Sequence, residues 1–233
     1  MNLILLTGGS GGIGTAIIKE LYESEIYNLD IQISRELFSN EIFLKTDLNS
    51  ENDILKSISK IPQKDLNTII FCAGYGGPFI PLEKVNTELW NQIFQININS
   101  TYIILRELIP SLKQKKNVHI IFIASSQALV GAKNSVAYSA SKHAILGMVK
   151  SLADELGEYG ICVNAISPGY IQTKMGVQEG EVPNHYLEII SKTPSKKIGK
   201  PDDVAKIIKF IISQDSGYIN GANWTIDGGI TSV

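Results

Sequence analysis

The apolar run Leu3-Ile4-Leu5-Leu6 passes without a break into Thr7-Gly8-Gly9-Ser10-Gly11-Gly12-Ile13-Gly14, and this junction limits the folds open to the chain more than any other feature. A continuous apolar run of this length reads as a strand buried on both faces, as in a parallel sheet. The glycines after it close a tight turn and let backbone N–H groups approach a pyrophosphate at the start of the following helix. Further strand candidates lie at residues 27–30, 42–46, 68–73, 118–124, 161–166 and 223–226, separated by helical stretches such as 13–22, 88–112, 138–159 and 202–213. In the last stretch Val204, Ile207, Ile208 and Ile211 form one apolar stripe. Pro201 precedes it, and Asp202 and Asp203 fall in its first turn, a good helix start. The alternation predicts an α/β fold: a doubly wound parallel sheet of about seven strands with helices on both faces. No repeat or linker divides the chain, so residues 1–233 are expected to form a single domain. The stretch 173–200 interrupts the alternation. Ligands of such sheets bind beyond the carboxyl ends of the strands, which makes 174–200 a candidate substrate lid.

Charge removes one class of partner. Twenty-one Lys+Arg stand against 23 Asp+Glu for a net charge of −2, and Arg35 and Arg106 are the two arginines. A duplex-binding surface needs a basic field, so nucleic acid is not expected as a partner. No run approaches the ~18 apolar residues of a membrane span, and Met1-Asn2 before a short apolar run is no signal peptide. The expectation is a cytoplasmic protein with no membrane partner. Cys72 and Cys162 lie in apolar runs and read as buried, reduced thiols. His119, His143 and His185 lack metal-ligand spacing, so no metal is expected.

Two further features point to chemistry. Asp30 closes the second strand candidate; a carboxylate there accepts hydrogen bonds from ribose hydroxyls and repels a 2′-phosphate. It favours NAD(H), while the nearby Arg35 keeps NADP(H) open, and a plain turn residue is the alternative for Asp30. Tyr138 and Lys142, four apart in a helical stretch, share one helix face. A tyrosine hydroxyl titrates near 10 unperturbed, and an adjacent ammonium lowers that value toward the range of a useful base.

Taken in order along the chain, these motifs resemble the short-chain dehydrogenase/reductase family, whose fold is Rossmann-like. The TGxxxGxG turn corresponds to Thr7–Gly14 and YxxxK to Tyr138–Lys142. The family's serine pair corresponds to Ser125-Ser126, its helix asparagine to Asn97, and its adenine-side acidic pair to Asp47-Leu48. Its Pro-Gly turn with a downstream threonine corresponds to Pro168-Gly169-Tyr170-Ile171-Gln172-Thr173, and its terminal DGG to Asp227-Gly228-Gly229. The resemblance implies hydride transfer between a nicotinamide and a carbonyl or secondary alcohol of a small-molecule substrate. It assigns Tyr138 as general acid/base, and Lys142 as the group that lowers the tyrosine's pKa and holds the ribose. Ser126 takes the substrate oxygen, with Ser125 as the alternative, and Asn97 holds a water leading to Lys142. It places the cofactor on Gly8, Ser10, Gly11, Gly12, Ile13, Gly14, Asp30, Asp47, Leu48, Ala73, Gly74, Tyr138, Lys142, Pro168, Gly169, Ile171 and Thr173. It also implies a homotetramer or dimer built partly on the helices at 88–112 and 138–159. Two alternatives remain: an NADPH-dependent 3-oxoacyl carrier-protein reductase and a non-catalytic dinucleotide-sensing protein. Three departures from the family pattern are visible. Phe71-Cys72-Ala73-Gly74 replaces Asn-Asn-Ala-Gly, removing an asparagine that would brace the sheet. The stretch from Gly14 to Asp47 is short, so the second helix is expected to be stunted. The interval from Ser126 to Tyr138 is one residue less than usual.

Overall fold

Seven parallel strands build one sheet in the order β3-β2-β1-β4-β5-β6-β7. They are β1 Leu3–Thr7, β2 Glu25–Asp30, β3 Glu41–Lys45, β4 Leu66–Phe71, β5 Val118–Ile123, β6 Ile161–Pro168 and β7 Asn223–Ile226. The structure is a computed structural model and describes residues 2–33, 35–173, 183–215 and 217–233. The order reverses direction between β1 and β4, and an open parallel sheet leaves a crevice at such a switch point beyond its carboxyl ends.

The central strands β1 and β5 are buried along their whole length. This is why they read as unbroken apolar runs, since residues alternate between two covered faces. Ile4, Leu6, Ile26, Ile70 and Ile121 face α1 (Gly12–Glu20) and α7 (Pro201–Ile212). Leu5, Leu29, Ile69, Ile120 and Phe122 face α4 (Ser100–Leu112) and α5 (Val136–Gly157). The α7 stripe is realised as read: Val204, Ile208 and Ile211 are fully buried, each worth roughly 1.5–3 kcal/mol of apolar transfer. The Asp203 carboxylate accepts from the Lys200 N–H at 2.8 Å and fixes the start of that helix.

Three elements differ from expectation. The helical stretch expected over 88–112 is unbroken but not uniform, since α3 (Thr87–Phe94), a π turn (Gln95–Asn99) and α4 follow one another directly. A π turn widens a helix by one residue and is frequent at functional sites; here it carries Asn97. An additional helix, α2 (Glu51–Ile58), is capped by the Ser50 hydroxyl accepting from the Asp53 N–H. The shortened second helix is absent altogether among the described residues between β2 and β3. In its place the Arg35 guanidinium stacks 4.4 Å from the Phe38 ring, and Phe38 packs against the α1–α7 side of the core.

Of the candidate lid, 174–182 lie outside the described residues. Helix α6 (Pro183–Lys192) follows, and Ile171 then bridges Gly199, with Gly199 N–H donating to Tyr170 C=O and Gln172 N–H to Gly199 C=O. No described helix is long and apolar enough to cross a membrane, and no described cluster of side chains is suited to hold a metal ion.

Candidate active site

The site residues converge because each sits at or just beyond the carboxyl end of a parallel strand. After β1, Gly8 takes φ +73°, a left-handed backbone that favours glycine. A Cβ at Gly8 would stand 2.6 Å from the Ala73 backbone, so the first turn and the segment after β4 can touch only through a glycine. Helix α1 begins at Gly11 with no side-chain cap, leaving its first-turn N–H groups open to an anion. From the far end of the chain, Thr173 approaches so closely that a Cβ on Gly12 would lie 2.7 Å from its methyl group. These features form a cradle of backbone donors with room only for glycine, as a dinucleotide pyrophosphate requires.

Beside the cradle, the Asp30 carboxylate accepts from the Ser10 N–H at 3.0 Å and from the Ile31 N–H at 2.8 Å. Asp30 is half-buried and keeps lone pairs for ribose hydroxyls. Asp47 follows β3 and is turned inward on its own loop, one carboxylate oxygen accepting from both the backbone and side-chain amides of Asn49. Leu48 is buried. The Thr7 hydroxyl accepts from the Ala73 N–H at 3.2 Å and ties the end of β1 to the segment after β4. Pro168 ends β6, and Gly169 N–H donates to Ile226 C=O, docking that turn against the Asp227 loop. Asp227 in turn accepts from the Gly229 and Thr231 N–H groups and the Thr231 hydroxyl. Burial would raise its pKa, but those bonds together hold it below the usual aspartate range.

Asn97 acts as a clamp. Its Oδ1 accepts from the Tyr75 N–H at 2.8 Å, and its Nδ2 donates to Tyr75 C=O at 3.1 Å and to the Ser141 hydroxyl at 2.9 Å. The clamp ties the segment after β4 to α5, which carries Tyr138 and Lys142. Gly74 lies between: a Cβ there would be 3.4 Å from Lys142 Nζ and 3.6 Å from Asn97 Oδ1.

Two features bear on the catalytic assignment. Of the serine pair, Ser125 is the one whose side-chain hydrogen bonding lowers the Tyr138 pKa, which favours the alternative over Ser126 for the substrate-oxygen role. Ser125 is the last extended residue after β5, with φ −172°, whereas Ser126 already begins a short 3₁₀ turn, Ser126–Ala128. With Ser125 in the role, the apparent shortening of the loop before Tyr138 disappears. The second concerns the tyrosine's proton. Burial pushes the Tyr138 hydroxyl above its ordinary value, and the hydrogen bond with Ser125 offsets this only in part. The Lys142 ammonium does not meet the hydroxyl. It lies 5.5 Å from the ring centroid and donates to Ile123 C=O at 2.8 Å.

Burial brings Lys142 from an ordinary 10.5 down to about 8, against a smaller opposing influence of Cys72; burial likewise raises the Cys72 thiol to about 12. Between pH 8 and 10.5 the unfolded chain therefore holds more protons on this lysine than the folded one, so its contribution to stability rises with pH across that window. Thermal unfolding of the cofactor-free protein and of Lys142→Met should diverge accordingly. The wild type should gain on the order of 3 kcal/mol relative to the variant between these limits. A difference independent of pH would mean the lysine is not charged against its burial.

Sequence reasoning missed Asn28 and Glu41, which brace the glycine turn from beneath. The available signal was an amide inside one strand run, Asn28, and a carboxylate at the start of the next, Glu41. The role of Gln127 was missed as well: its Oε1 accepts from both the Ser135 and Ser139 hydroxyls at 2.9 Å and ties the turn after β5 to the start of α5.

The fold and site together define a nicotinamide-dinucleotide oxidoreductase of the short-chain type. A family model described as enoyl-(acyl carrier protein) reductase matches residues 12–231; the chain belongs to this family of short-chain dehydrogenases/reductases. It is 31% identical over 238 residues to a 3-oxoacyl-[acyl-carrier-protein] reductase of Rickettsia typhi, covering 98% of this chain and 96% of that protein. Among solved structures, ElxO with NADP bound superposes with a TM-score of 0.91 at 29% identity, covering 100% of this chain and 99% of that one. A 4-hydroxyisoleucine dehydrogenase complexed with NADH superposes with a TM-score of 0.92 at 27% identity, covering 100% of both chains.

Proposed function

We propose that the protein interconverts a carbonyl and a secondary alcohol on a small molecule, with Tyr138 as general acid/base and NAD(H) as the favoured cofactor. The observation that carries this reading is the hydrogen-bonded Ser125–Tyr138 pair, with Lys142 beneath the ring, at the same strand ends as the uncapped glycine turn. A nicotinamide bound here supplies or accepts the hydride. In the reducing direction Tyr138 gives its proton to the substrate oxygen, and in the oxidising direction it takes it back. Ser125 donates to the same oxygen and fixes its position. Lys142 holds the nicotinamide ribose and supports the charge that develops on Tyr138. Asn97 sets the α5 face by its grip on Tyr75 and Ser141, and a water at Asn97 leads protons to Lys142.

The cradle of Gly8, Ser10, Gly11, Gly12, Ile13 and Gly14 takes the pyrophosphate, Asp30 the adenosine ribose, and Asp47 and Leu48 the adenine side. Ala73, Gly74, Pro168, Gly169, Ile171 and Thr173 line the nicotinamide half, with the lid near 174–200 over the substrate. The working form is a cytoplasmic homodimer or homotetramer using the α3–α4 and α5 surfaces, where Tyr102 and Val136 stand exposed. A 3-oxoacyl thioester is a second substrate reading, favoured by the Rickettsia relative. The test is a panel of ketones, hydroxy-ketones and 3-oxoacyl thioesters assayed with NADH and NADPH by nicotinamide absorbance. Nucleotide binding with no turnover of any member would replace the enzyme reading with a sensor.

Cofactor choice gives a sharper expectation. A 2′-phosphate beside Asp30 sets like charges together, on the order of 4 kcal/mol at ~4 Å and an effective dielectric of ~20 before screening. A third of that is about tenfold. The wild type should therefore show the higher kcat/KM with NADH, and Asp30→Asn, which retains an acceptor for the Ser10 N–H, should narrow the gap by about tenfold. Equal efficiency with NADPH in the wild type would remove Asp30 from this role.

A further inference from the structure

Beneath the glycine turn lies a polar cluster that is unexpected in a buried strand pair. Asn28 on β2 is fully buried; its Oδ1 accepts from the Gly9 N–H at 2.9 Å, and its Nδ2 donates to Glu41 Oε1 at 2.7 Å. Glu41 opens β3 with its side chain completely buried. Its carboxylate also receives Arg35 through both guanidinium ends, Nη1 to Oε2 at 2.7 Å and Nη2 to Oε1 at 3.0 Å, and the Phe38 N–H at 3.2 Å. Burial alone would raise the Glu41 pKa, but the bonds from Arg35, Asn28 and Phe38 and the guanidinium charge hold it below the ordinary glutamate range. Arg35 Nη2 continues upward and donates to Gly9 C=O at 3.1 Å. Arg35 and Asp30 thus grip the two ends of a single peptide group in the turn, the first at the Gly9 carbonyl and the second at the Ser10 N–H. The cluster lies between β2 and β3, where the described residues form no helix.

We propose that Glu41 is a specificity-determining residue for the dinucleotide, acting through Arg35: it holds the guanidinium under the glycine turn as half of a charge-cancelled pair, so that Asp30 rather than Arg35 sets the charge met by the adenosine ribose. Bidentate pairing fixes the guanidinium in place as well as cancelling its charge. Freed of that partner, the same arginine would present a full positive charge one peptide away from Asp30 and attract a 2′-phosphate. Glu41 itself never touches the nucleotide and is a positioning residue. The inference rests on the nicotinamide-dinucleotide reading of this turn.

The test is titration of the purified protein with NADH and with NADPH, followed by nucleotide fluorescence, which needs no substrate. Glu41→Gln preserves shape and an acceptor while leaving Arg35 uncompensated, and should shift the ratio of the two dissociation constants toward NADPH by roughly tenfold, the scale of one partly screened charge. Glu41→Gln combined with Arg35→Gln removes both charges and should restore the wild-type ratio. Lys45, the exposed register partner of Asp30, is unchanged in all three proteins and cancels from the comparison. An unchanged ratio in folded Glu41→Gln overturns the proposal. If that variant does not fold, the neutral double variant decides. NADPH affinity equal to wild type supports a cancelled arginine, whereas a fall of more than about tenfold makes Arg35 the phosphate clamp and overturns the proposal. Failure of the wild type to bind either nucleotide marks the dinucleotide reading itself as wrong, and the proposal falls with it.

Discussion

Tyr138→Phe is expected to lower turnover by about 10²–10⁴-fold, the usual contribution of a positioned general acid or base. Dinucleotide affinity should stay within about tenfold of wild type. Both expectations come from what the substitution removes. Phenylalanine keeps the ring against which Lys142 lies and loses only the hydroxyl that meets Ser125. The cradle of backbone donors around Gly8–Gly14, the Asp30 carboxylate and the Asn97 clamp are untouched, so the nucleotide-binding surface persists. Thermal unfolding should change little, because the Ser125 hydroxyl is half-buried and regains a partner from water. Steady-state turnover with the best carbonyl of the panel, alongside nucleotide fluorescence, separates the two effects. Turnover above half of wild type would place the proton-transfer group elsewhere.

Much of this architecture is legible in the sequence, for a physical reason. Strands buried on both faces must be apolar at every position, so β1 and β5 are identifiable as runs, and the glycine turn sits where strand, turn and helix have to meet. The α7 stripe was legible because one face of that helix is core and the other is water. What escaped was set by contacts distant in sequence. The helical stretch at 88–112 widens into a π turn where Asn97 meets the Tyr75 backbone, a partner 22 residues away. Glu41 lies just before the strand candidate at 42–46, and its burial comes from Arg35 and Asn28, which lie outside that strand run. Lys142 was expected to act directly on the tyrosine hydroxyl, because a helical spacing of four fixes the shared face but not which acceptor the ammonium finds. In the structure that acceptor is the Ile123 carbonyl. The serine pair was ambiguous for a similar reason, since two adjacent serines differ in sequence only by position and in the fold by whether the backbone is still extended.

That last distinction gives the second large effect. Ser125→Ala should reduce turnover by about 10²-fold or more, the scale of removing one donor aimed at a reacting oxygen, while Ser126→Ala should stay within roughly threefold, as expected of a half-buried turn residue away from the reacting oxygen. The Ser125 hydroxyl touches Tyr138 and also accepts from the Gln127 N–H at 3.1 Å, which fixes its orientation. Alanine removes both contacts without creating a clash. A pH profile adds a readout that a structural defect would not reproduce. The bond from Ser125 is what lowers the Tyr138 pKa against its burial, so its loss raises that pKa further. Oxidation of the alcohol needs Tyr138 deprotonated, and the alkaline rise of kcat/KM in that direction should move to higher pH in Ser125→Ala and stay in place in Ser126→Ala. Reduction needs the protonated form, and its activity should persist to higher pH in the Ser125 variant, though at a lower level. If Ser126→Ala caused the larger loss and carried the shift, the extended residue after β5 would not be the one that meets the substrate oxygen. The bond between Ser125 and Tyr138 would then be a feature of packing alone.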